Sequence, residues 1–206
     1  MNKVKSIGLF IGLFVLSFLF CRWLYMNVFY FYLMPMLASF NGNFSDDFWF
    51  SLLLLTIGSL IISTLLYQII RFRTLSPLFI KVFYGIYFLF LGYFLFFKSI
   101  GIQGISLNPF SFITDFISGD SMIVLLNIIC FIPLGFLFVL NTKNSLLFLG
   151  FILVVEISQY SFHLGFFDAG DIVANFAGFV IGSLIVKSKF YKSIFRNADF
   201  IQRELI

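Results

Sequence analysis

Charge is what this sequence has least of. Asp, Glu, Lys and Arg together make up 11% of its 206 residues, where a soluble domain carries about a quarter. There are two cysteines and one histidine, so neither a disulfide framework nor a Cys/His zinc pattern defines the fold. Cys21 and Cys130 both lie in apolar runs and read as small buried hydrophobes. Proline occurs four times, and no Pro/Gly/Ser-rich linker, low-complexity stretch or internal repeat divides the chain. A single membrane domain over residues 1–206 is expected. No G-x-x-x-x-G-K-[ST], HExxH or G-x-S-x-G motif is present, which removes the phosphate-loop, zincin and hydrolase signatures. No cofactor and no metal site is implied.

What is abundant is apolar surface. Hydrophobic residues reach 61% and aromatics 22%, with 34 Phe and a mean hydropathy of +1.08. A soluble domain of this length could not bury that much, so the expected solvent is a bilayer. Five apolar runs are clear, at about residues 7–25, 48–70, 78–97, 122–140 and 145–163, and a shorter sixth covers 171–186. The first follows Lys3 and Lys5 like a signal peptide. It lacks a small-x-small cleavage site directly after the run, and reads as an uncleaved span.

The net charge of +4 and pI near 9.1 report orientation here, and nucleic-acid binding is not expected. With six spans and the N-terminus inside, every basic residue except Arg22 and Lys98 falls on the cytoplasmic side. Asp46, Asp47, Asp115, Asp120 and Asp168 fall outside. The expected fold is therefore an all-α, polytopic transmembrane bundle of about six spans with both termini cytoplasmic, in the cell membrane. Two segments fit less simply. Val28 to Phe40, with Pro35, either extends the first helix or lies along the outer interface. Ile100 to Phe116, with Gly101, Gly104 and Pro109, reads as an external loop, membrane-hugging or re-entrant.

Against this apolar background the polar residues inside spans stand out. Glu156 lies within the fifth run, where a charge costs on the order of 3 kcal/mol by insertion scales. Gln159 follows one turn later on the same face, and His163 reads as an interfacial residue near the boundary. Asp168 and Asp171 flank the turn before the sixth span, where one suits an N-cap. Asn175, at i,i+4 from Asp171, points the same way within the span. Asn127 in the fourth span suggests a polar contact, and Pro133 with Gly135 suggests a kink whose freed backbone needs a partner. Gly170, Ala174, Gly178 and Gly182 recur every four residues, a small-residue stripe for close helix packing. Its neighbour is expected to be the fifth span. A purely structural reading remains open for each: helix glue for Glu156, a cap for the aspartates, packing for the glycines.

The order of these residues resembles the VanZ-like family of integral membrane proteins. The resemblance rests on Asn127, Phe131-Ile-Pro133-Leu-Gly135, Glu156-Ile-Ser-Gln159 and Phe167-Asp168-Ala-Gly-Asp171-Ile-Val-Ala-Asn175-Phe-Ala-Gly178. Leu107-Asn108-Pro109-Phe110 resembles the family's short Pro-Phe motif upstream. The similar region covers about residues 106–186, and the first three spans carry no such signature. Two positions depart from the pattern: Gly165 stands where the family commonly has Arg, and Gly170 where it has Asp. A carboxylate paired to that Arg would lose its partner here, which admits a divergent substrate or a degraded activity.

The resemblance implies a link to resistance against teicoplanin, a lipidated glycopeptide, without fixing a mechanism. Three functions stay open. A binding module would hold an amphiphilic ligand, either the antibiotic or a lipid-linked wall precursor, at an outward-facing cluster of Glu156, Gln159, Asp168, Asp171, Asn175 and Asn127. An enzyme would use Glu156 or Asp171 as general base or metal ligand in acting on an envelope lipid or saccharide. A proton-coupled transporter or flippase would use Glu156 as its relay. Membrane lipids are expected partners in every case.

Overall fold

The computed structural model describes residues 3–30, 47–96, 101–118 and 121–195. The Val28 to Phe40 segment beyond Tyr30, and Asp46, Lys98, Asp120, Arg196 and Arg203, lie outside the described residues. The described residues are all-α apart from one two-stranded sheet, and the chain forms two compact units, Met1–Phe79 and Ile80–Ile206.

The first unit is a helical hairpin. Helix α1 (Lys3–Leu24) continues through a π-helical turn, Tyr25–Phe29, and α2 covers Asp47–Phe72. The beginning of the Val28 segment therefore extends the first helix. Two hydroxyl pairs set an antiparallel register, Ser6 with Tyr67 at 2.5 Å and Tyr25 with Ser51 at 2.6 Å. Between them the seam is built from small groups. Ser17, Ser59 and Ser63 are buried, and a Cβ on Gly58 would meet Cys21 Sγ at 3.4 Å. Lipid tails are as apolar as leucine, so helices gain more from close approach than from a leucine seam. The leucines accordingly point outward, with Leu16 and Leu19 exposed.

The second unit holds most of α3 (Pro77–Phe96), then β1 (Ile102–Ser106), α4 (Ser111–Ser118), α5 (Ser121–Gly135), α6 (Thr142–Ser161), β2 (Leu164–Asp168), α7 (Ala169–Val186) and α8 (Lys189–Ile194). Strands β1 and β2 pair in parallel, from Ile102 opposite Leu164 to Ser106 opposite Asp168. The expected external loop at 100–116 is thus a strand and a short helix. The pairing satisfies backbone groups that an irregular segment would leave open. Gly101, at φ +83°, starts it by donating its N–H to His163 O at 2.7 Å.

Helices Lys3–Phe29 (π turn included), Phe48–Phe72, Pro77–Phe96, Thr142–Ser161 and Ala169–Val186 are long and apolar enough to cross a membrane. The run expected at 122–140 ends sooner: α5 has 15 residues, about 22 Å at 1.5 Å per residue. Pro133 deletes an amide donor inside α5, and the helix stops at Gly135. Its last carbonyls are then taken up one by one. Tyr87 OH donates to Cys130 O at 2.7 Å and Tyr84 OH to Pro133 O at 3.0 Å. Ser183 Oγ donates to Gly135 O, and Tyr191 OH to Phe136 O, both at 3.2 Å. Burial pushes the Tyr191 phenol up from its ordinary range, which keeps its hydroxyl a donor.

The core lies where α5, α6 and α7 meet. Phe148 stacks on Phe179 at 4.3 Å between ring centres and meets Phe131 edge-on at 5.5 Å, with Ile152 fully buried beside them. The glycine stripe packs against α5, the fourth run, and not against the fifth as expected. A Cβ on Gly178 would strike Ile128 O, and one on Gly182 would strike Ile132 O. Gly135 on α5 is equally tight against the Phe179 carbonyl. Contact through backbone on both sides leaves no space for side chains, so glycine is required there. The Phe-rich flank of α7 is left for α6. The Cys21 and Cys130 side chains are thiols, each half-buried and less enclosed than expected.

Candidate functional site

Glu156 stands on the same face of α6 as Phe148 and Ile152, so the residues that build the core carry it inward. Its exposure is 2%. Helices α6 and α7 run antiparallel, and Glu156 stands as far beyond Phe148 as Asp171 stands before Phe179. Glu156 therefore arrives level with the first turn of α7. There its Oε2 accepts the N–H of Asp168 at 3.2 Å.

Asp168 is the N-cap of α7. Its Oδ1 accepts the Gly170 N–H at 2.7 Å and the Ser111 hydroxyl at 2.8 Å. Asp171, in the first turn, accepts from Asn127 Nδ2 of α5 at 2.7 Å. Three carboxylates thus collect at one helix N-terminus, where unsatisfied amides and the helix dipole favour negative charge. That placement offsets part of the cost of burying Glu156. Asn175 lies one turn further along α7, at 3% exposure, and its Oδ1 has no hydrogen-bond partner among the described residues. A buried acceptor without a donor costs about 1–3 kcal/mol.

The structure brings Glu156, Asp168, Asp171 and Asn127 to one place, with Asn175 adjoining. Gln159 turns elsewhere: its Nε2 donates to Leu95 O near the end of α3 at 2.7 Å, which makes it a cap for that helix. His163 is exposed with φ +58° and contributes its backbone to the turn. Among the described residues no group of three or more His, Cys, Asp or Glu is arranged to hold a metal ion.

The two unusual glycines differ in their surroundings. A Cβ on Gly165 would meet only Gln159, at 3.7 Å or more, which is ordinary contact and leaves room for a side chain. At Gly170 it would strike Ser111 Oγ, with Phe112 N at 2.9 Å. A larger residue at position 170 is therefore incompatible with the Ser111–Asp168 bond as it stands. Sequence reasoning missed Ser111, Tyr84, Tyr87, Ser183 and Tyr191. The signals available were the Tyr84/Tyr87 i,i+3 pair in an apolar helix and a hydroxyl directly after Pro109-Phe110.

Fold and site together define a helical membrane protein with a buried acidic and amide centre at the start of one spanning helix. Within that class the chain belongs to the VanZ/LLP1 family, whose model matches residues 83–194, more than half of the sequence. The match reaches beyond the region apparent from the motifs and takes in most of the third run, expected to lack a signature. Those added parts supply Tyr84, Tyr87 and Tyr191, the donors that finish α5. Neither the curated proteins nor the solved structures contain a match.

Proposed function

We propose that the protein is a VanZ-type component of the cell membrane that binds the polar head of an amphiphilic envelope ligand. The ligand class is a lipid-linked wall precursor or a lipoglycopeptide antibiotic, and the outcome is protection against glycopeptides of the teicoplanin type. The observation that carries the reading is the Asn175 amide oxygen, buried without a donor among the described residues and beside a cluster of carboxylates. An amine or hydroxyl of the ligand would supply that donor, and the carboxylates would favour a cationic amine. Exposed Phe162 and Phe166, on the turn and strand leading into α7, offer an apolar surface for the lipid portion.

This reading takes six crossings with both termini cytoplasmic, α5 being the short one, so that the α7 N-terminus opens to the exterior. Teicoplanin susceptibility of cells carrying the wild type, Glu156→Gln or Asn175→Leu tests it, with membrane abundance measured alongside. Protection should fall to background in both variants at unchanged abundance. Protection retained in both would count against the site. Lipid extracts should keep the same masses with and without the protein; a new mass would move the assignment to catalysis.

A further inference from the structure

Charges in the second unit are fully segregated among its described residues. Asp115, Glu156, Asp168 and Asp171 gather around the start of α7 and the α4 that packs on it. Every described lysine of this unit is exposed and lies at the opposite end. Lys81 is there because α3 runs antiparallel to α5, Tyr84 meeting Pro133 and Tyr87 meeting Cys130. Lys143 is there because going back along α6 from Phe148 brings it level with Leu184, within a turn of Lys187.

Helix α8 completes the arrangement. Ser188 caps it by accepting the Tyr191 N–H at 3.1 Å. Its inner face is fixed, with Tyr191 and Ile194 buried and the Tyr191 ring stacked on Phe195 at 4.2 Å. Lys189 and Lys192, an i,i+3 pair, remain exposed on the other face. Exposed Leu184 and Ile185 lie within a turn of Lys187 on α7, so an apolar, exposed surface adjoins the lysines there.

We propose that Lys143, Lys187, Lys189 and Lys192 form a binding site for an anionic phospholipid, its phosphate held by the ammonium groups and its acyl chains lying along Leu184 and Ile185. Charge complementarity selects the phosphate, and the adjoining apolar surface selects a lipid over a soluble anion. A nucleic acid would use the lysines and leave that surface bare. The site is separate from the acidic centre and does not rest on the function proposed for it.

The test is lipid retention and thermal unfolding of the full chain in neutral micelles, with phosphatidylglycerol, phosphatidylcholine or inorganic phosphate added. Phosphatidylglycerol should be retained at least about tenfold more than phosphatidylcholine and should raise the unfolding midpoint. Both effects should vanish in K187Q/K189Q/K192Q and in about 1 M salt, yet persist in K3Q/K5Q. Because the salt arm uses the wild type, a folding defect in the variant would not mask the result. Equal retention of the two lipids, a preference surviving in the triple variant, an equal rise with inorganic phosphate, or displacement by an oligonucleotide at matched charge would each overturn the proposal.

Discussion

At the scale of single residues, the glycines of α7 and the tyrosines of α3 do different kinds of work. Gly178 and Gly182 hold space that backbone atoms of α5 already occupy. Gly178→Leu should destabilise the second unit by about 1–3 kcal/mol through overpacking, read as a lower thermal midpoint. Gly150 has nothing within 4 Å of an added Cβ, so Gly150→Ala should be neutral or stabilise by up to about 1 kcal/mol. Tyr84 and Tyr87 answer backbone carbonyls. Tyr87→Phe should cost about 0.5–1.5 kcal/mol for its lost hydrogen bond. The double change Tyr84→Phe/Tyr87→Phe should depart from additivity, because both act on the same helix end. Much of this was legible in the chain. A carboxylate at 156 and amides at 127 and 175 are rare enough in apolar runs to mark themselves, and a four-residue glycine spacing implies close packing. Which helix the glycines meet was not legible, since α5 and α6 both offer apolar faces. The answer turned on Gly135 providing a matching gap.

At the scale of elements, the informative piece is β1 with α4. Gly101, Gly104 and Pro109 made this stretch look irregular, and the parallel pairing with Leu164–Asp168 is remote in sequence. No local pattern announces a two-stranded parallel ladder, because each strand is only five residues long and its partner lies about sixty residues away. Its consequence is positional: the ladder ends at Asp168, delivering that residue as the cap of α7 and α4 as a cover beside it. Ser111 ties the two together. Removing the cap in Asp168→Ala should destabilise the start of α7 by about 0.5–2 kcal/mol. Amide exchange should then speed up in α4 and in the first turn of α7, while the interior of α6 keeps its protection. Uniform acceleration across α6 would show that the cap supports the whole unit.

At the scale of the whole molecule, hydropathy alone foreshadows the five helices of spanning length, whereas the short helix is α5 and not the sixth run as expected. The division into two compact units was not foreshadowed. Nothing in composition separates the serine-seamed hairpin of α1 and α2 from the glycine-seamed helices that follow, because lipid imposes the same apolar surface on both. Orientation is tested by thiol labelling in a cysteine-free background. Asp115→Cys should react with an impermeant reagent from outside, and Lys189→Cys only after the membrane is opened; the reverse pattern would invert the topology. The deciding measurement for the acidic centre is calorimetric binding of teicoplanin to the purified protein in neutral nanodiscs. Wild type should bind, and Glu156→Gln and Asn175→Leu should each weaken binding by about tenfold or more, the loss of one buried polar contact. Wild-type affinity retained in both variants would contradict a ligand site built on Glu156 and Asn175.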